Sequence, residues 1–307
     1  MTTTARATYD NSDLRQRNLL CKLEITTFGT VRKNKRASSE ACVREGANDR
    51  VAAVIQQLFD PSNPMLKKIV SLRGLMRNLH GSSTGPWDDE GFRIIRADAF
   101  GDYKEKQDDL ITQFNAAVDE LCKNRDDIVH DAQIKLGALF DPKDYPTGEE
   151  LRARYSAELI AEIIPNRKDP RLDMDKDRQE KIVEEAQEAE RAKIARNREH
   201  IIDTIVEELT HMRDALNRSG TKEDGDVRAG AFRNSLVPRM QKLAATLPAL
   251  NITNDPKITK IAQEIAQSLC IHTSEDLRED EVLREQVKGK ADDMLETMGA
   301  YFGDDAK

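Results

Sequence analysis

The sequence predicts a mainly α protein, an elongated helical bundle of long helices with a small N-terminal two-stranded β element. Charged residues make up 34% of the 307 residues and aromatic residues only 5%, a composition that suits exposed helices better than a β-sandwich. Apolar residues recur at helical spacing through most of the chain. One segment, residues 173–217, has neither proline nor glycine and is too polar to be buried on every side.

The N-terminal β element is predicted from two short apolar patterns. From Leu19 to Thr27 the chain shows the two-residue period of a half-buried strand. Residues 91–96 predict a second short strand, which could pair with the first to form a ribbon. Residues 1–17 precede both strands and are polar, so we expect a flexible N-terminus.

The helices are predicted from start and stop signals. Ser38 or Ser39 could cap a helix that runs to about Phe59, and Asn63–Pro64 predicts the start of the next one. Thr147–Glu150 has the spacing of a capping box and predicts a short helix. Longer helices are predicted at about 103–140, 227–247, 256–269 and 275–298.

Two prolines within residues 163–170 mark the best candidate for a domain boundary. We therefore predict an N-terminal α+β-ribbon helical domain and a C-terminal helical domain with a flexible tail. The predicted ranges are 1–17 for the flexible N-terminus, 18–165 and 166–298 for the two domains, 173–217 for the long charged helix and 299–307 for the tail.

The charged helix carries an interrupted apolar stripe. Its first half presents the small-residue positions Ile182, Ala186 and Ala189, and its second half a conventional stripe over residues 201–216. Charged and polar residues at 193–198 separate the two halves, whereas a coiled coil needs a continuous seam. One interpretation is a helix that is half docked and half solvated; the other is an arm that pairs with a second copy or a partner.

Two further features are candidates for binding. Trp87, in a Gly-Pro-Trp-Asp-Asp loop, is either a packed loop anchor or an exposed recognition residue. A basic tip follows the first strand and could contact phosphates, although solvation of a hairpin tip is the alternative. The basic residues are Arg32, Lys33, Lys35 and Arg36.

Catalytic and metal chemistry is poorly supported by the sequence. Glu208–His211 and Asp127–His130 have the acidic-x-x-His spacing used in di-iron bundles, but Glu and Asp are abundant here and solvated residues explain both pairs. The chain lacks the common nucleotide-binding and nucleophile motifs. We therefore predict no enzyme activity, no cofactor and no metal site.

Charge and cysteine usage suggest a compartment. The net charge is −8, which opposes nucleic-acid binding by the molecule as a whole. Four widely spaced cysteines without a C-x-x-C motif suit reduced thiols. We see no secretory signal and no apolar run of membrane-spanning length, so a cytoplasmic protein that does not contact membranes is expected.

Several segments of the chain together show a family resemblance. They are Leu19–Thr27, Thr30–Lys35, Pro86–Ile95, Phe100–Tyr103, Leu139–Pro146 and Phe232–Leu236. In these segments the chain resembles an uncharacterised family of mostly helical proteins found in tailed phages and bacteria. The resemblance implies no catalytic residues, because that family has no assigned activity. Family members are similar in context to genes beside MoxR-type ATPases and von Willebrand-type partners, which implies an adaptor or scaffold.

Taken together, these features predict a non-enzymatic helical interaction or scaffold protein, phage-encoded and located in the host cytoplasm. It would act through self-association as a homo-oligomer or by binding a protein partner, such as an AAA-type ATPase or a host protein. The alternative is a nucleic-acid-binding protein of phage DNA metabolism that uses the basic N-terminal ribbon.

Overall fold

The computed structural model describes residues 11–48, 51–164, 176–218 and 234–302. Within these ranges the protein is mainly α, as predicted, with 68% of residues in helices. The elongated form of the bundle stays a prediction. In chain order the helices are α1 Asn11–Arg17, α2 Lys35–Arg44, α3 Pro64–Ser83, α4 Ala97–Lys123, α5 Arg125–Leu136, α6 Gly148–Arg152, α7 Lys176–Arg218, α8 Leu236–Leu250, α9 Pro256–Ser268, α10 Asp276–Glu279 and α11 Glu281–Phe302.

The described strands form two sheets. The six described strands are β1 Asn18–Thr26, β2 Val31–Asn34, β3 Val54–Gln57, β4 Gly85–Pro86, β5 Arg93–Arg96 and β6 Ser156–Ile163. β1 pairs with β5 in the register Asn18↔Arg96 to Cys21↔Arg93, so the predicted pairing of these two segments is confirmed. The predicted size is wrong, because the sheet has four strands in the order β4-β5-β1-β6, and β2 and β3 form a separate sheet of two.

The chain divides into two compact units that interleave along the sequence. The first unit comprises the described residues within Met1–Lys22, Gly81–Gly101 and Ala161–Lys307, and the second unit comprises those within Leu23–His80 and Asp102–Ile160. This division differs from the predicted one, because residues 18–22 and 81–101 belong with the C-terminal helices. A side-chain bond contributes: the Asn18 amide donates to the Ile252 carbonyl at 3.3 Å.

Several predicted helix bounds are wrong for local reasons. The helix predicted to reach Phe59 ends at Arg44, where Gly46 adopts a φ of +64° that continues no helix. The helix predicted for 103–140 breaks at Asn124 into α4 and α5. Arg125, which interrupts the predicted stripe, is the first residue of α5, and its side chain donates to the Pro146 carbonyl at 2.9 Å.

The ends of the chain also differ from expectation. The N-terminal segment predicted to be flexible contains α1, and the predicted tail is helical as far as Phe302. The helix predicted at 227–247 continues to Leu250 as α8, and the helix predicted at 275–298 is divided into α10 and α11. The linker residues 165–170 and the predicted start of the helix at 227 lie outside the described residues.

Each unit has its own apolar core. In the first unit, α7 and α9 each pack against α8 and α11, and a smaller cluster surrounds Trp87. In the second unit, α3, α4 and α5 surround Phe114, and Tyr145 donates a hydrogen bond to the Leu58 carbonyl at 3.0 Å. The small cluster of the first unit consists of Leu14, Leu20, Trp87, Ile94, Ile164, Ile194 and Ile252.

Candidate functional site

The interrupted part of α7 is a docking surface within the first unit. Lys193 lies over the ring of Trp87, with its ammonium nitrogen 5.3 Å from the ring centroid and 4.0 Å from a carboxylate oxygen of Asp88. One turn further, Arg196 lies 3.4 Å from a carboxylate oxygen of Asp89. The cations that break the stripe therefore face the aromatic and acidic residues of the β4–β5 loop.

Trp87 is an anchor of this surface. Its side chain is only 5% exposed and packs in the small apolar cluster. A residue that is already buried within its own chain cannot present its ring to a partner. The structure therefore corrects the assignment of Trp87 as a partner-binding residue and supports the packed alternative.

Asn197 sits in the same surface, directly against the backbone of Gly85. A Cβ atom on Gly85 would lie 1.7 Å from the Asn197 amide nitrogen, so this approach requires glycine. Asn197 is 1% exposed, and neither its amide nitrogen nor its oxygen has a hydrogen-bond partner among the described residues. Burying these two polar atoms of Asn197 without hydrogen-bond partners therefore costs desolvation free energy.

Two ion pairs flank this contact along α7. Arg15 of α1 donates to Glu190 at 2.5 Å, and the Glu190 side chain is almost fully buried. Arg198 lies 3.5 Å from a buried carboxylate oxygen of Asp255 at the start of α9. The sequence placed Asn197 in the interruption of the stripe but did not predict its contact with Gly85, and Glu190 was missed. A polar residue at the stripe position of a long helix was the available signal, because such a position must meet a polar partner or solvent.

The part of α7 before Glu190 is different in character. Ile182 is 44% exposed, and Ala189 is exposed as well, whereas Ala186 is half-buried. Three glutamates in this segment, Glu184, Glu185 and Glu188, are also exposed. We call residues 181–189 the arm. The structure therefore leaves two of the three predicted partner-binding positions on α7 accessible.

The basic tip lies on the two-stranded sheet and the first turn of α2. Arg32 is bound to the Asp144 carboxylate, and Arg36 donates to Glu40 at 2.9 Å. Lys33 and Lys35 are exposed. Because two of the four predicted cations are already neutralised by carboxylates, the tip offers less positive charge to a phosphate backbone than the sequence indicates.

The two acidic-x-x-His pairs differ in their surroundings. Both carboxylate oxygens of Glu208 accept hydrogen bonds from Arg239, at 2.7 and 3.0 Å. His211, Asp127 and His130 are exposed. Across the described ranges, no group of three or more His, Cys, Asp or Glu residues is placed to hold a metal ion.

The cysteines of the first unit are held as thiols. Burial raises the pKa of Cys21 to about 12, and the charge of Arg93 offsets only part of that shift. Burial also raises the pKa of Cys270, which lines a groove of about 490 Å³ beside Val237 and His272. A protonated thiol is a poor nucleophile, so neither cysteine is activated for chemistry at neutral pH.

Comparison with known proteins adds no relative. No protein-family model matches the chain, and no curated protein and no solved structure matches it. Among the described helices, none is long and apolar enough to cross a membrane.

Proposed function

We propose that this chain is a non-enzymatic helical interaction protein that binds a second copy or a protein partner through the arm of α7. One observation carries the proposal: Ile182 is 44% exposed, whereas the stripe positions of the same helix at Ile201, Ile205, Leu209, Met212 and Leu216 are buried. An exposed aliphatic side chain on an anchored helix is available to contact another surface.

The anchoring of the arm supports this function. The ion pair between Glu190 and Arg15 and the apolar contacts from Ile201 onward hold α7 immediately after the arm. A binding segment that is already helical loses little conformational entropy when it binds, because its backbone needs no further ordering. At about 1.5 Å per residue, the arm is roughly 13 Å long and presents two to three turns.

The family resemblance extends the proposal. A phage-encoded scaffold that acts in the host cytoplasm would meet a host protein or an AAA-type ATPase.

The proposal is tested by sedimentation velocity of the full chain. We expect concentration-dependent association of the wild type and a shift to monomer for Ile182→Glu combined with Ala189→Glu, with helix content retained by circular dichroism. Val282→Glu is the matched control, because Val282 is also an exposed aliphatic residue of the first unit, 67% exposed on α11. Association that the arm variant leaves unchanged would refute a role for the arm.

Nucleic-acid binding is a second candidate, favoured by the exposure of Lys33 and Lys35. The carboxylate partners of Arg32 and Arg36 weaken it. If the tip contacts phosphates, Lys33→Glu combined with Lys35→Glu abolishes the DNA mobility shift, and each lost phosphate contact lowers the salt slope by about 0.9. The absence of any shift at low salt would exclude this function.

A further inference from the structure

The two-stranded sheet has one face packed and one face exposed. The pairs Val31↔Gln57 and Lys33↔Ile55 lie on one face, because directly opposed residues of an antiparallel pair point to the same side. Val31 is 53% exposed and Ile55 is 68% exposed, and Lys33 and Gln57 are also exposed. We call these four residues the outer face.

The opposite face of this sheet is covered by α2. Gln56 is buried and accepts a hydrogen bond from Asn34 at 3.0 Å, and the Val54 amide donates to the Ser38 hydroxyl of α2 at 2.9 Å. The sheet is therefore held in place from one side. Its outer face combines two accessible β-branched residues with positive charge.

The charge at the rim of the outer face is positive. Lys33 lies on the face, and Lys35 is exposed in the first turn of α2 immediately after β2. A surface of exposed aliphatic side chains bordered by lysines fits a partner that is partly apolar and acidic.

The arm has the complementary character. Residues 181–189 contain one lysine and three glutamates, a formal charge of −2. Ile182 and Ala189 are seven residues apart and therefore lie on one side of the helix, with Glu185 beside them and Glu188 at the edge. Two arms packed against each other would bring these glutamates together, and like charges in contact oppose association.

We propose that the arm of one copy docks on the outer face of a second copy. Ile182 would contact Val31 and Ile55, while Glu185 and Glu188 would lie near Lys33 and Lys35 of the other copy. The inference rests on the proposed self-association and names its surfaces. Because each copy carries both surfaces, two copies can close a reciprocal dimer in which each arm lies on the outer face of the other, or successive copies can continue head to tail as a ring or an open chain.

Charge exchange between two variants of the full chain tests this pairing. The outer-face variant carries Lys33→Glu and Lys35→Glu, and the arm variant carries Glu185→Lys and Glu188→Lys. Each variant alone places like charges on both surfaces, so we expect its association to weaken by about tenfold or more in sedimentation velocity. An equimolar mixture restores opposite charges at both contacts, and we expect it to regain association close to that of the wild type.

Matched controls separate this pairing from general charge effects. Lys67→Glu with Lys106→Glu makes the same charge change at exposed positions of the second unit, and Glu281→Lys with Glu296→Lys does so in the first unit. We expect both controls to associate like the wild type. Circular dichroism and urea midpoints confirm that all variants fold.

The outcomes distinguish the inference from the proposed function. If the wild type associates and the arm variant does not, but the outer-face variant associates normally, the arm binds elsewhere and only the inference fails. A mixture that stays dissociated also overturns it. A wild type that is monomeric at every concentration overturns the inference and limits the proposed function to binding of a different protein partner. If the outer-face variant loses only DNA binding and keeps association, the outer face serves nucleic acid and the inference fails.

Discussion

Replacing Gly85 by alanine tests the docking of α7 on β4 most directly. The new Cβ would lie 1.7 Å from the Asn197 amide nitrogen and 2.9 Å from its Cγ. Ordinary carbon–nitrogen contacts need about 3.5 Å, so one side must move by well over an ångström. Asn197 is 1% exposed and its side chain has little room to rotate.

The expected cost follows from overpacking of a buried contact. Such insertions destabilise by about 1–3 kcal/mol. For a protein of this size that lowers Tm by about 2–4 °C per kcal/mol. We expect a lower urea midpoint with an unchanged m value for the Gly85→Ala chain, monitored by circular dichroism.

A double-mutant cycle tests whether the loss of stability comes from the contact between residue 85 and Asn197. Asn197→Ala removes the obstructing carboxamide and two polar atoms without a partner among the described residues, so we expect it to be nearly neutral. In that background Gly85→Ala should cost much less than in the wild type.

Gly81→Ala is the control for the glycine substitution itself. No atom lies within 4 Å of a Cβ built at Gly81, which is exposed in α3. Gly81→Ala should therefore be neutral or should stabilise the protein by up to about 1 kcal/mol. A Gly85→Ala chain as stable as the wild type, or an equal cost with and without the Asn197 side chain, would refute the packing argument.

Two further predictions concern buried aromatic and thiol groups. Trp87 is the only tryptophan and is 5% exposed, so the fluorescence of the folded chain should resist quenching by acrylamide. Trp87→Ala should lower the free energy of unfolding by about 3–5 kcal/mol. Ready quenching of the folded chain would contradict the burial of Trp87. Burial raises the pKa of Cys21 from 9.0 to about 12 and that of Tyr155 from 10.0 to about 12. As pH rises, the unfolded chain therefore loses both protons before the folded chain does. The free energy of unfolding should fall as pH rises from about 9 to 12. Urea midpoints at several pH values measure this fall, and Tyr155→Phe should make it shallower; an unchanged slope would show that the Tyr155 phenol is not the source.

The local signals of the sequence predicted their elements well. Asn63 accepts a hydrogen bond from the Met65 amide at 2.9 Å, as expected of the cap before Pro64. Thr147 and Glu150 form the reciprocal capping box. These interactions involve residues two or three positions apart, so the identity of the neighbouring residues decides them.

The strands that depend on distant partners were harder to predict. β3 was assigned to a helix and β6 was missed, because a short apolar run suits either structure until its partner is known. Ile163 at the end of β6 is exposed, so its apolar side chain does not mark a buried strand position. The pairing of β1 with β5 was predicted, but the number of strands in the sheet was not.

The arm and the basic tip show the same limit for candidate sites. Sequence could place Ile182 and Lys33 on plausible binding surfaces from helix spacing and charge. It could not indicate that Arg32 is bound to Asp144, because 112 residues separate the two. The sequence shows which residues are charged. Whether a charged side chain is available to a partner depends on the ion pairs that it forms in the folded protein.

The sequence by itself determined that this is a mainly α protein with a long charged helix whose apolar stripe fails midway. Only the tertiary structure decided what that failure means. Lys193 and Arg196 meet Trp87, Asp88 and Asp89, and Asn197 lies against Gly85, all more than 100 residues earlier in the chain. The spacing of apolar residues shows which face of a helix is apolar. It does not show which distant residues the polar positions contact, because those contacts form only when the chain folds.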